Sequence, residues 1–283
     1  MAKAFSIASW NVEHFRKPAS NASAAKKKAY NERKPRVVQF IKDQQPDVIT
    51  IYEVEGKEIY NDLASTMTGY SFHITEGAQV QEILVGVKHG IDAFFTQKIA
   101  FKSGSSYLRP GALLTVNVDS EVYSLLFLHT KSGADPKGFG LRDDMLQKSV
   151  KFRKILNKAS TSENGANYIF MGDLNTMGMR YPYKKSIDFS FELKRADNLA
   201  SRYYKMRRLT KTHAFTYCNG SKSSYPKSDL DHVYASKHLQ FKQFSESDVK
   251  VTGWVDANDD ATMDKWIEEY SDHSLLYMEV QKV

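Results

Sequence analysis

Six segments of the sequence set an acidic, amide or imidazole side chain at or just beyond the C-terminal end of an apolar run, or beside one. Asn11 follows Ile7-Ala8-Ser9-Trp10, Glu53 follows Val48-Ile49-Thr50-Ile51-Tyr52, and His129 ends Leu125-Leu126-Phe127-Leu128. Asp173 and Asn175 follow Tyr168-Ile169-Phe170-Met171-Gly172, Asp231 stands in Asp229-Leu230-Asp231-His232-Val233, and Asp272-His273 precede the last apolar run. Carboxylate and amide oxygens are ligands for hard divalent cations, and carboxylates and imidazoles move protons. Each residue alone has a duller reading. Gly-Asp-Leu-Asn is ordinary turn chemistry, Asp272 suits an N-cap or turn, His129 suits a satisfied core imidazole, and Asn11 suits a bond to a neighbouring loop. Six such positions in one chain are harder to obtain from turn chemistry.

The runs that must position these residues predict strands at 5–12, 48–54, 83–87, 112–118, 123–129, 168–171, 230–235 and 275–280. Strand ends are where a rigid sheet presents side chains to a shared cleft. Helices are predicted over 29–43, with Val37, Val38, Phe40 and Ile41 on one side, and over 142–159, with Met145, Val150, Phe152, Ile155 and Leu156 similarly placed. Strands outnumbering helices suit packed sheets with helices outside better than strict βαβ alternation. Three regions read as loops: 16–31 with Lys26-Lys27-Lys28, 132–140 with three glycines and a proline, and 201–226. The last interleaves tyrosines with cations that include Arg207 and Arg208, a composition that tracks a phosphate backbone and stacks on bases. Its bland reading is a solvated insertion.

Composition bounds the answer. With 283 residues, 41% hydrophobic and 26% charged, the chain is globular rather than disordered or fibrous, and one domain spanning 1–283 is expected. A net charge of +7 favours polyanionic partners. The single cysteine, Cys218, excludes an internal disulfide and a cysteine-rich zinc site, which fits a reducing compartment and predicts a cytoplasmic protein. The first residues enter a strand pattern without a secretory h-region, although a mature secreted form would look the same. No 18 apolar residues run together, so no integral membrane association is expected, and a monomer is.

The ordered set Trp10-Asn11-Val12-Glu13, Tyr52-Glu53-Val54, His129-Thr130-Lys131-Ser132, Gly172-Asp173-Leu174-Asn175, Leu230-Asp231-His232-Val233 and Ser271-Asp272-His273 resembles the endonuclease/exonuclease/phosphatase superfamily, which contains the deoxyribonuclease I-like enzymes. The resemblance spans nearly the whole chain. It implies a four-layer α/β sandwich, two central mainly antiparallel sheets flanked by helices, with a divalent-metal site at one edge. Carried over residue by residue, it makes Glu53 the principal metal ligand, with Asn11 beside it and Asp272 close by. Asp173 would orient or deprotonate the attacking water, Asn175 would hold a phosphate oxygen, Asp231 would pair with His273, and His129 would bind phosphate or transfer a proton. Arg109, in Leu108-Arg109-Pro110-Gly111, matches a substrate-approaching arginine; its alternative is a surface cation before a strand. Tyr52 stands where relatives commonly have Gln, and Leu275 where many have Pro. Neither departure removes a catalytic group.

Phosphodiester hydrolysis gives these groups their roles. Mg²⁺, with Mn²⁺ or Ca²⁺ as alternatives, would neutralise phosphate oxygens, and the lack of a Cys/His cluster argues against zinc. Either Asp173 is the base and His273 an imidazolium held by Asp231, or His273 is the base and Asp173 orients water. The charge and the 201–226 segment point to a nuclease with Arg207 and Arg208 on the substrate, cutting DNA rather than RNA internally with little sequence preference. The alternatives are a phosphatase or phosphodiesterase for a small or lipid-linked phosphoester, and a noncatalytic nucleic-acid-binding scaffold.

Overall fold

The computed structural model describes residues 2–182 and 185–282. The first half of the chain forms β1 (Lys3–Arg16), α1 (Ala24–Asp43), β2 (Val48–Glu55), α2 (Lys57–Thr66), β3 (Tyr70–Ile74), β4 (Glu82–Lys88), β5 (Asp92–Lys98), β6 (Gly111–Val118) and β7 (Glu121–His129). The second half forms α3 (Pro136–Asn157), β8 (Asn167–Asp173), α4 (Phe189–Tyr204), β9 (Met206–Arg208), β10 (Asp231–Ser236), β11 (Lys250–Thr252), α5 (Asp260–Glu269) and β12 (Leu275–Gln281).

The strands make two six-stranded sheets, ordered β11-β12-β1-β2-β4-β3 and β5-β6-β7-β8-β10-β9. Each sheet has one parallel pair at its centre, β1 with β2 and β7 with β8, and is otherwise antiparallel. A parallel pair needs a long crossover, supplied here by α1 and α3, and it leaves two strands with their C-terminal ends at one edge of the sheet. Side-chain alternation then sorts the core. Phe5 and Ile7, Val48 and Tyr52, Leu125 and Phe127, and Ile169 and Met171 fill the space between the sheets. Trp10, Ile49 and Ile51 face outward against Val37 and Ile41 of α1 and Leu63 of α2. Leu126, Tyr168 and Phe170 face outward in a cluster that holds Val150 of α3 and Ala200 of α4. The sheets therefore form the inner layers of an α/β sandwich. Among the described residues, no helix is long and apolar enough to cross a membrane.

Every strand expected from the apolar runs is present, but the loops are shorter than their composition suggests. α1 starts at Ala24 because the Ser23 hydroxyl accepts the Lys26 N–H, which puts Lys26-Lys27-Lys28 on a helix. α3 starts at Pro136 because Asp135 accepts the Lys137 and Gly138 N–H groups and proline is pre-set for a first turn, so most of the 132–140 segment is helical. The 201–226 segment opens with the last turn of α4 and then β9, where Arg207 and Arg208 pair with β10.

Candidate active site

Asn11, His129, Asp173 and Asp231 continue the inward-facing alternation of their strands, so they form the polar end of the core between the sheets. Each follows or precedes inward apolar residues by two positions: Ile7 and Ser9 before Asn11, Phe127 before His129, Met171 before Asp173, and Val233 after Asp231. All four are buried. Glu53 breaks this parity. It comes directly after the inward Tyr52 and reaches the same edge through a φ of +60°, where the β1–β2 register shifts between Asn11 and Phe15. His14, with φ +46°, donates its N–H to Glu53 Oε2 at 3.1 Å. Non-glycine residues held in this region cost about 1 kcal/mol or more each, a strain that clusters at functional sites. Gly172 supplies a close approach before Asp173. At its φ of +142°, a Cβ would lie 2.0 Å from the Leu128 carbonyl oxygen and 2.7 Å from the Tyr52 hydroxyl.

The two sheets meet through these side chains. Asn11 Nδ2 donates to Glu53 Oε1 at 3.2 Å and, across the sandwich, to Asp173 Oδ2 at 3.0 Å. His129 Nε2 lies 3.4 Å from Asp173 Oδ2 and 3.8 Å from Glu53 Oε1. His273, immediately before β12 in the first sheet, is hydrogen-bonded through Nδ1 to Asp231 Oδ2 of the second at 2.8 Å, with Nε2 3.9 Å from Asp173 Oδ2. Asn175, with φ +50°, donates its backbone N–H to Asp173 Oδ1 at 3.0 Å. Ser271 Oγ donates to the Asn11 carbonyl at 2.7 Å, and Trp10 Nε1 donates to the His273 carbonyl at 2.8 Å, which fixes both loops.

Burial and charge drive the titratable groups apart. Burial pushes Asp173 up to about 7, opposed by His273 and reinforced by Asp231 and Glu53. Burial likewise raises Asp272 to about 6. For His273, burial disfavours the charged ring, but the Asp231 and Asp173 carboxylates outweigh it and hold its pKa well above the ordinary histidine value. His129 goes the other way: burial, then Arg109, lowers it far enough to keep it neutral.

Candidate ligand atoms of Glu53, His129 and Asp173 lie within 4.8 Å of one another, as do those of Asp173, Asp231 and His273. Asn11 Oδ1 is buried without a hydrogen-bond partner while its amide nitrogen is engaged by two carboxylates. A buried acceptor of this kind is costly unless a cation or donor meets it. An oxygen-rich set with an orphaned amide oxygen fits a hard divalent ion.

These groups face a cleft of about 790 Å³ that Asp272, Asn175 and Arg109 also line. Arg109 is not a free surface cation. Its Nη2 donates to Gln81 Oε1, and Gln81 Nε2 donates to Glu53 Oε2 at 2.7 Å. Gln81 was not legible as a site residue, although it stands one residue before β4, which runs antiparallel to β2 and so begins at the edge where β2 ends. Phe189, Phe215, Tyr217, Tyr225, Arg180 and Lys227 also line the cleft. The expectation for Arg207 and Arg208 is corrected. Neither lines the cleft; both border a separate groove of about 510 Å³. Each is held by its own carboxylate, Arg207 by Asp248 at 2.5 and 3.2 Å and Arg208 by Asp197 at 3.0 Å. The aromatic part of the 201–226 segment reaches the cleft and these two cations do not.

No curated protein matches this sequence. Among solved structures, truncated TDP2 of Caenorhabditis elegans is 15% identical with a TM-score of 0.63, over 98% of this chain and 97% of that one. TDP2 of D. rerio, complexed with a single strand DNA product, is 16% identical with a TM-score of 0.63, over 98% and 99% of the two chains. A mannosyl-6-phosphatase of Bacteroides thetaiotaomicron is 13% identical with a TM-score of 0.60, over 98% and 100%. Likeness at such identities is a likeness of fold. The sequence model of the Endonuclease/Exonuclease/phosphatase family matches residues 8–273. With the motifs in family order and their side chains gathered in one cleft, the chain belongs to the endonuclease/exonuclease/phosphatase family, whose members hydrolyse phosphoester bonds.

Proposed function

We propose that this protein is a divalent-metal-dependent nuclease that cuts DNA internally with little sequence preference. The observation that carries the reading is the meeting of Glu53, Asn11, Asp173 and the Asp231–His273 pair in one cleft whose walls also hold Phe215, Tyr217 and Tyr225 with Arg180 and Lys227. Aromatic faces stack on any base and cations neutralise any phosphate, so such walls hold a strand without reading its sequence. The fold shared with a DNA-bound TDP2 supports the same reading.

Glu53 and Asn11, with Asp272 lining the same cleft, would hold Mg²⁺, for which Mn²⁺ would substitute; when bound, the ion supplies charge neutralisation at a phosphate oxygen and lowers the pKa of water. Asp173, oriented by Asn11 and the Asn175 N–H, accepts the proton of the attacking water. His273, kept cationic by Asp231, donates to the oxygen on which charge accumulates. Two groups whose environments separate their pKa values divide acid and base work in this way. Asn175 holds a second phosphate oxygen through the amide hydrogen that Thr130 leaves free.

Nicking of supercoiled plasmid with Mg²⁺ tests the proposal. Chelator abolishes it, and Asp173→Ala, Glu53→Ala and His273→Ala each lower kcat by about 100-fold or more with near-UV circular dichroism unchanged. Near-normal metal-dependent nicking by folded Asp173→Ala would overturn it. The likeness to a mannosyl-6-phosphatase gives the competing reading a definite form: intact plasmid and RNA alongside phosphate release from a phosphorylated sugar replaces the nuclease with a small-molecule phosphatase.

A further inference from the structure

The segment marked in sequence by Lys26-Lys27-Lys28 borders a second groove, of about 1340 Å³, formed by residues from the end of β1, α1 and α5. His14 lines both this groove and the catalytic cleft, so the two meet at that side chain. Arg16, Lys17, Lys26, Arg36 and Lys265 face Glu32, Glu268 and Glu269 across it. Some of this charge is already spent: Arg16 sits 3.3 Å from Glu55, Arg36 sits 3.9 Å from Glu269, and Lys28 sits 3.8 Å from Glu32. Lys17, Lys26 and Lys265 are exposed and make no ion pair among the described residues. The first turn of α1 contains no acidic residue, and three lysines crowd the positive end of its dipole. That arrangement works against the helix. Helix formation therefore does not explain these lysines, whereas a polyanion lying in the groove does.

We infer that this groove is a second nucleic-acid-binding surface, holding the phosphate backbone of a strand that leaves the catalytic cleft past His14. The inference rests on the nuclease reading and extends it, since a strand held on both sides of the scissile bond is the geometry of internal cleavage. The groove offers isolated cations and no aromatic platform beyond half-buried Tyr30, so it contacts phosphates and carries no sequence information.

The test is a Lys17→Gln/Lys26→Gln/Lys265→Gln variant, compared with the wild type by thermal melting to confirm an intact fold. With a single-stranded oligonucleotide of about 30 nucleotides, KM rises about tenfold at low salt and kcat stays the same. The slope of log Kd against log salt falls by about 3. Turnover of bis(4-nitrophenyl) phosphate, which is too small to reach the groove, stays at the wild-type value. Equal losses on both substrates, or no change on the oligonucleotide, overturn the inference. Fluorescence anisotropy with labelled DNA and RNA in EDTA separates this outcome from failure of the nuclease reading. If neither polymer is cut yet both bind and the variant loses that binding, the groove stands without the nuclease. If the wild type binds phosphatidylserine vesicles and neither oligonucleotide, the groove is a membrane surface and the inference falls.

Discussion

At the scale of single residues, Gln81 joins two functions that the sequence kept apart. Its amide nitrogen holds Glu53 Oε2 and its amide oxygen accepts from Arg109, so the residue beside the substrate and the residue beside the cation share one rigid amide. Tyr52 makes this necessary. Its ring points into the space between the sheets, with its hydroxyl 3.1 Å from Ser9 Oγ, and cannot orient the neighbouring carboxylate as an amide there would. Gln81→Met keeps the volume and deletes both bonds. Groups of this kind behind a metal ligand are worth roughly 10- to 100-fold in metal affinity. Isothermal titration with Mn²⁺ is expected to show that loss in the variant, and unchanged Mn²⁺ affinity would contradict it. Gly172 sets another limit at this scale. Gly172→Ala drives a methyl group into the Leu128 carbonyl at a left-handed φ, with an expected loss of about 3 kcal/mol in urea denaturation.

Among the elements, α3 and α4 hold the loops of the cleft. Arg142, fully buried on α3, makes two bonds to Glu192 of α4 at 2.8 and 3.1 Å and donates to the carbonyls of Lys131, Gly133 and Gly178. Glu192 in turn accepts the Gly178 N–H at 2.9 Å. One ion pair thus ties the turn after His129 to the turn after Asn175. Arg142→Met strands a buried carboxylate and is expected to cost about 3–5 kcal/mol, whereas Arg142→Met/Glu192→Met recovers much of the loss, as urea titrations of both variants would register. Neither residue was legible as a clamp, because a charged pair 50 positions apart leaves no local pattern. Strands buried on both faces, such as β7 and β8, announced themselves as apolar runs. β3 and β5 did not, because they lie at sheet edges with largely exposed or half-buried side chains and carry no alternation. Composition misplaced Arg207 and Arg208, since it counts charges and cannot see that Asp248 and Asp197 already hold them.

For the whole molecule, stability and pH are linked through rings that fold neutral. His232 is buried, hydrogen-bonded to the Thr176 hydroxyl at 2.7 Å, and its pKa is lowered well below 6.5 by burial and then by Lys211 and Arg208. A depressed base adds stability above its unfolded value and loses it as pH falls, because the unfolded chain takes a proton that the native ring refuses. Between pH 6.5 and 5.5 that loss is about 1 kcal/mol. Metal-free wild type and His232→Gln, compared by urea denaturation at those two pH values, are expected to differ by that amount in their change, and parallel changes would refute the assignment. The general position of the site was legible at this scale because the inward alternation of four strands ends in Asn11, His129, Asp173 and Asp231. The exception is Glu53, whose left-handed backbone no periodicity announces.

The bonds that cross the sandwich carry a further consequence. Asn11, Glu53 and His273 belong to one sheet or its border, and Asp173, His129 and Asp231 to the other, so neither sheet owns a complete reaction centre. Catalysis is therefore a proximity gauge. A slip of one sheet over the other by the width of a single atom would silence turnover while leaving every helix and strand in place.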